Sequence, residues 1–283
     1  MPELPEVETY VRNFRPLLEG RRIVRFTSLW PKHAEPSLSA VRRGIVGKRI
    51  TKLERRAKYI VATLSPGDAQ EYKVHKFNAD AEHLLIHLRM TGRLEWSGCR
   101  ENPPLHLRAS FELDDGRILW FADSRKFGRI TYTRDLAAAT AHLGFEPLDR
   151  SFTAAALGRL LCGCSRQLKP LLLDQSLIAG LGNIYADEAL FSARLHPLLR
   201  SANLEEEEIH RLWRAIRTVL SKAIRLGGTS FDWVYPEGGM EKHLNVYGRT
   251  GEPCKRCHTP IEYQRIAQRG THICPCCQRY RGG

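Results

Sequence analysis

The sequence predicts an α+β protein: an N-terminal antiparallel β-sandwich flanked by helices, then a helical domain ending in a small module pinned by four cysteines. Three observations carry this. Residues 22–133 consist of short segments rich in β-branched and aromatic residues, separated by turn signals. After "LGFEPLDRSF" (143–152), where Gly and Pro interrupt, the periodicity becomes helical. Five of the eight cysteines fall in the last thirty residues.

The elements follow in order. Leu4, Val7, Val11 and Phe14 recur at helical spacing and predict a helix over 2–18, with Pro5 suited to its first turn. The strand-like segments are "RIVRFTSLW", "RITKLERRAKYIVATL", "HLLIHLRMTGRLEW", "HLRASFEL", "RILWFA" and "RITYTR", with "DDG" at 114–116 as a turn. The stretch 65–83 is expected to be an extra hairpin or a long loop. Three short helices are expected in "FTAAALGRLL", "LKPLLLDQSL" and "NIYADEALFSA". The clearest helix spans 203–228, with Asn203 as its cap, four glutamates at its positive end, basic last turns and Gly227 as its stop. Ile209, Leu212, Trp213, Ile216, Val219, Leu220 and Ile224 make one apolar stripe, which reads as core.

Charge narrows the partners. Lys and Arg number 44 against 31 Asp and Glu in 283 residues, a formal net charge of +13. Such an excess suits a polyanion, most often nucleic acid; a solubilising surface is the alternative, and composition leaves both open. No apolar run is long enough to span a membrane, and the N-terminus lacks a secretory pattern, so a cytosolic protein is expected. In that compartment Cys99, Cys162 and Cys164 are expected as small buried apolar residues.

Cys254-x2-Cys257, sixteen residues, then Cys274-x2-Cys277 is the spacing of a four-cysteine zinc site. The intervening segment is long enough for a β-hairpin, and so small a module needs a metal to fold. Two disulfides are the alternative, disfavoured by a reducing compartment; His258, His272 and Cys276 are alternative ligands that the regular spacing disfavours. Four thiolates leave no open coordination position, so one structural Zn²⁺ is expected. Residues 242–283 carry eight Lys and Arg against two acids, which suits a phosphate-gripping element better than a protein-binding zinc ribbon. Upstream, Gly180 and Gly182 precede a helix starting near Asn183. Such a junction can present backbone N–H groups to an anion, although it is more often a plain helix–helix turn.

With these pieces in place, the sequence resembles the bacterial formamidopyrimidine-DNA glycosylase (8-oxoguanine DNA glycosylase) family. The matching stretches are "MPELPEVET", "RRAKY" (55–59), "HLRMTG" (87–92), "DSRKFG" (123–128), "GLGNIYADEALF", "GGTSF" (227–231), "NVYGRTGEPC" (245–254) and "AQRGTHIC". The resemblance implies a catalytic sandwich domain over 1–140, a linker over 141–151, a helix–two-turn–helix domain with a lesion-recognition loop over 152–244, and a zinc-finger hairpin over 245–283. DNA would run between the domains. It implies a bifunctional glycosylase and abasic-site lyase of base excision repair that removes oxidised purines (8-oxoguanine, formamidopyrimidines) through an N-terminal proline Schiff base and cleaves the strand by β,δ-elimination. The expected partner is damaged double-stranded DNA. The protein is expected to be monomeric, bacterial and cytoplasmic, at the nucleoid, and to need no nucleotide cofactor.

By the same resemblance, Pro2 becomes the nucleophile once Met1 is removed. Glu3 is the acid/base near the opening sugar, Glu6 helps organise the site, and Lys58 contacts the phosphate beside the lesion. Met90, Arg125 and Phe127 fill the hole left by the extruded base and probe the opposite one. Lys169, Asn183 and Arg269 contact phosphates. The residue chemistry agrees: an α-amino group titrates near about 8, roughly two units below lysine, and so is available as an amine near neutral pH. Two carboxylates three residues apart on one helical face could shuttle the protons.

Departures from the family pattern are a longer span from Tyr59 to His87, Ser124 in place of proline, Lys126 in place of arginine, and a short 232–244 loop. They bear on which damaged base is preferred. A preference for oxidised pyrimidines, as in the endonuclease VIII-like branch, is the rival; "PELPEV" argues against it. A catalytically silent damage-binding protein is a second rival, disfavoured by retention of Pro2, Glu3, Glu6 and Lys58.

Overall fold

Helix α1 (Leu4–Leu18) forms where the apolar spacing expects it, with Pro5 in the first turn, where its missing N–H costs nothing. In this computed structural model the chain is described over residues 2–66, 81–98, 102–229 and 238–282. Expectations for most of 65–83, for Cys99 and for 232–237 lie outside the described residues. Two compact units divide the chain: Pro2 with residues 6–141, and Glu3–Pro5 with residues 142–229 and 238–282.

The first unit is the β-sandwich. Strands β1 (Ile23–Ser28), β2 (Ala34–Glu35), β3 (Arg49–Arg56), β4 (Tyr59–Ser65), β5 (Glu82–His87), β6 (Gly92–Ser97), β7 (Leu107–Leu113), β8 (Ile118–Asp123) and β9 (Arg129–Thr133) form two sheets. Their orders are β1-β7-β8-β6 and β2-β9-β5-β4-β3. Every pairing is antiparallel except β2 with β9. Both sheets supply one core, including Ile23, Phe26, Leu53, Ile60, Leu84, Phe111 and Phe121, which Val7, Tyr10 and Val11 of α1 join. Helix α2 (Leu38–Ile45), capped by the Ser37 hydroxyl, was not expected. At eight residues, with Val41 and Ile45 as its buried apolar side chains, its periodic signal is too short to read. The short helix α3 (Leu136–Thr140) buries no residue and was missed for the same reason.

The second unit holds α4 (Ala154–Cys162), α5 (Leu168–Leu172), α6 (Asn183–Ala193) and α7 (Glu206–Arg225), then the hairpin of β10 (Glu262–Ile266) and β11 (Arg269–Ile273). The α7 stripe is core as expected: Ile209, Leu212, Ile216, Val219 and Leu220 join Leu4 and the α4–α6 residues in one cluster. Two expectations are corrected. Asn203 lies in a separate 3-10 turn, and Glu205 caps α7 through a reciprocal box with Glu208. A run of four glutamates lets an acid both cap the helix and face its dipole, which outcompetes an asparagine two residues earlier. Cys162 is exposed and Cys164 half-buried, not core, because α4 ends at Cys162 and leaves its last side chain outside the packed face.

Candidate functional site: a buried carboxylate at a helix end and a metal-ready hairpin

Glu3 lies one residue before α1, not within it, so it does not share a helical face with Glu6 as the sequence suggested. It is 1% exposed, and its carboxylate accepts hydrogen bonds from the backbone N–H of Ile184 (2.9 Å) and Tyr185 (3.4 Å), at the start of α6. The Gly180–Gly182 junction could have offered these N–H groups to an outside anion or been a plain turn. The protein's own Glu3 takes them instead.

The glycines explain how the chain end gets so close. Gly180 has φ +92°, and a Cβ there would sit 2.7 Å from Leu4 Cδ1. A Cβ at Gly182 would sit 2.3 Å from the Glu3 carboxyl carbon. Leu4 N–H donates to the Gly180 carbonyl (3.0 Å), and the Gln175 amide braces the loop by accepting from Gly180 N–H and donating to Leu181 O.

Lys169 on α5 is fully buried beside this seat. Its ammonium lies 2.6 Å from Asp187 Oδ1 and donates to Gly270 O (2.7 Å) and Thr271 Oγ1 (2.8 Å). Burial pulls its pKa below the usual lysine value, and the Asp187 carboxylate opposes that. The expectation that Lys169 is an open phosphate contact therefore differs from its arrangement here, where it ties α5 and α6 to the hairpin. Asn183 does the same: its side-chain amide donates to Gly270 O (3.0 Å), while its Oδ1 is buried and unpartnered among the described residues. Asp187 was not singled out from sequence. Its signal was there: it lies one turn after Asn183, in a helix whose other residues are largely apolar, and a buried acid in such a place requires partners.

Arg269 opens β11 and is exposed. The hairpin turn before it places Ala267 (φ +44°) and Gln268 (φ +63°) both in the left-handed region, a two-residue turn made without glycine. Arg265 and Arg279 are also exposed. Other basic residues of this segment are structural: Arg256 donates to Phe191 O (2.9 Å), Lys255 to Leu244 O (2.6 Å), and Arg281 pairs with Glu208. The basic surplus is thus only partly an outward-facing surface.

The ligating atoms of Cys254, Cys257, Cys274 and Cys277 all lie within 4.8 Å of one another. Sγ–Sγ separations of 3.9 Å (Cys254–Cys277) and 3.4 Å (Cys257–Cys274) are close to the edges, about 3.8 Å, of a tetrahedron with Zn–S near 2.3 Å. Their acidities are divided: the Thr259 hydroxyl helps draw Cys257 down to about 6, while burial and neighbouring sulfurs push Cys274 and Cys277 up. Packed thiols resist becoming four anions together, and a divalent cation removes that conflict. The donor set fits one structural zinc, with no position left for substrate.

The first unit carries the remaining residues. Pro2 is buried, as are Glu6 (3% exposed) and Lys58 (6%), the last in the two-residue turn between β3 and β4. Met90 (37% exposed) and Phe127 (46%) are held outward, and the Arg125 guanidinium lies 4.9 Å over the Phe127 ring. Met90 sits in a tight turn where Gly92 N–H donates to Leu88 O (3.0 Å).

Comparison with known proteins agrees over the whole length. Residues 1–130 match the formamidopyrimidine-DNA glycosylase N-terminal domain, 143–234 the H2TH domain of formamidopyrimidine-DNA glycosylase, and 251–279 the zinc finger found in FPG and IleRS. The chain is 44% identical to a formamidopyrimidine-DNA glycosylase of Chloroflexus aurantiacus, covering 98% of each. A crystal structure of MutM (Fpg) from Thermus thermophilus is 40% identical with a TM-score of 0.84, covering 98% of each chain. A structure of MutM in complex with DNA containing carbocyclic 8-oxo-G is 34% identical with a TM-score of 0.89, covering 99% of this chain and 100% of that one.

Proposed function

This chain belongs to the formamidopyrimidine-DNA glycosylase family, and from that premise we propose how its residues share the work. It is a bifunctional DNA glycosylase and abasic-site lyase that removes oxidised purines from DNA. The observation that carries the residue assignment is the seat of Glu3: a buried carboxylate, adjacent in the chain to Pro2, fixed by two N–H groups of α6.

With Met1 removed, Pro2 is a secondary amine. Its nitrogen forms a bond to the damaged nucleotide's C1′ as the glycosidic bond breaks, and the bond pair leaves with the base. Loss of a proton and opening of the sugar ring give an iminium, which cannot lose an N–H and stays electrophilic. Its positive charge acidifies the C2′ proton. Removal of that proton expels the 3′ phosphate, and a second elimination expels the 5′ phosphate. Glu3, held at one orientation, protonates the ring oxygen and then serves as a proton acceptor, with Glu6 beside the chain end organising the amine. Lys58 holds the phosphate next to the lesion and Arg269 a neighbouring one, on the hairpin that Lys169 and Asn183 brace. Met90, Arg125 and Phe127 occupy the space the extruded nucleotide leaves.

Cys254, Cys257, Cys274 and Cys277 would hold the zinc, which supplies folding free energy to the hairpin and no chemistry at the sugar. The partner is damaged duplex DNA, engaged by a monomer in the bacterial cytoplasm. Among the described residues, no helix is long and apolar enough to cross a membrane.

The test is a panel of duplexes carrying 8-oxoguanine, an oxidised pyrimidine or an abasic site. Release of 8-oxoguanine faster than of the pyrimidine, with both strand ends phosphorylated, is expected. Tight binding without base release or strand cleavage would refute the enzyme reading.

A further inference from the structure

Asp123 ends β8 and is 1% exposed, yet none of the chemistry above uses it. Its carboxylate is shared between two loops. Oδ1 accepts from the Thr91 hydroxyl and from Arg125 N–H (3.2 Å), and Oδ2 accepts from Gly128 N–H (2.8 Å). Thr91 Oγ1 also accepts from Arg125 N–H (3.1 Å). The Asp123 backbone carbonyl accepts from Arg108 Nε (2.8 Å), which steadies the residue itself.

These bonds bracket the three outward-held side chains. Thr91 follows Met90, while Arg125 and Gly128 flank Phe127. Both loops hold a non-glycine residue in the left-handed region, Arg89 (φ +56°) and Lys126 (φ +62°), conformations that persist only where the surroundings impose them. There is no slack at the far end: a Cβ on Gly128 would lie 2.3 Å from Phe121 Cζ and 3.3 Å from Asp123 Oδ2. The site calls for two acceptor oxygens. It must accept at both oxygens from three donors, and an amide would face one of them with an N–H.

We propose that Asp123 is a positioning residue that joins the Met90 and Arg125–Phe127 loops into one preformed probe, and so governs extrusion of the damaged nucleotide and reading of the base opposite. This rests on the function proposed above. Two independent loops would each lose freedom when inserted into DNA; loops already joined through one carboxylate have lost it in the free protein.

The test compares wild type, Asp123→Asn and Thr91→Val on two substrates. One is a duplex with 8-oxoguanine opposite cytosine or adenine, which needs the probe. The other is a single strand with a preformed abasic site, which does not. Asp123→Asn is expected to slow single-turnover excision from the duplex about tenfold or more, shift the cytosine-to-adenine ratio, and leave single-strand cleavage within about twofold. Thr91→Val should act in the same direction more weakly, and the double variant should lose less than the product of the single losses. Equal losses on both substrates with an unchanged ratio would show a merely structural residue and overturn the proposal, as would unchanged duplex excision. A wild type inert on both substrates would overturn the functional reading, and this inference with it.

Discussion

Glu3 and Gly182 form a matched pair, since the carboxylate reaches the N-terminus of α6 only because residue 182 has no side chain. Gly182→Ala forces the overlap to be relieved, and moving the carboxylate is the easier way. Overpacking of this kind costs about 1–3 kcal/mol. Strand cleavage should fall at least about tenfold, with a smaller change in DNA binding; single-turnover kinetics beside binding isotherms checks this.

His33 makes a separate prediction. It is 1% exposed with its Nε2 3.1 Å from Ser28 Oγ, and burial, with Arg129 nearby, depresses its pKa to about 4. Folded His33 therefore stays neutral where the unfolded chain, with its pKa near 6.5, takes up a proton. Stability contributed by neutral His33 is complete above 6.5 and declines as pH falls from 6.5 towards 4. Urea midpoints over that range should fall in wild type and flatten in His33→Gln.

At the level of elements, the hairpin of β10 and β11 is held by two independent devices, the cysteine cluster and the Lys169–Asp187 contact with Gly270 and Thr271. That frees Arg269, at the turn, to meet DNA. Arg269→Ala should weaken binding uniformly across sequences and reduce the slope of log affinity against log salt by about 1. An unchanged slope would remove Arg269 from the phosphate contacts.

The same elements show what the sequence could and could not reveal. α1, the sandwich strands, α7 and the hairpin were legible because periodicity, turn residues and cysteine spacing are local signals. The use of the α6 N-terminus was not. Glu3 reaches it from 181 residues away, and no local pattern says whether a helix end meets an outside anion or one of the protein's own. The contacts of Lys169 were illegible for the same reason, since its partners Gly270 and Thr271 are distant in sequence. Asp123 lies inside a recognised motif, but only the fold shows that its carboxylate also holds Thr91.

For the molecule as a whole, a net charge of +13 draws the protein to DNA, while the reacting atoms sit at one end of the chain and the metal near the other. Binding and chemistry should therefore separate. Removing zinc with a chelator should unfold the hairpin and weaken DNA binding strongly, while the first unit, whose core uses no cysteine ligand, keeps its strand signal by circular dichroism. The rate on DNA held at saturation should change far less than the affinity.

The central claim is that Pro2 is the nucleophile, and borohydride trapping on abasic DNA followed by peptide mapping tests it most directly. The intact mass should first show Met1 absent, because with Met1 attached the Pro2 nitrogen is an amide. The account predicts a reduced covalent adduct on the Pro2 nitrogen, and a Pro2→Gly variant that still binds DNA but cleaves it severely more slowly. An adduct mapped to a lysine, or unimpaired cleavage by Pro2→Gly, would contradict it.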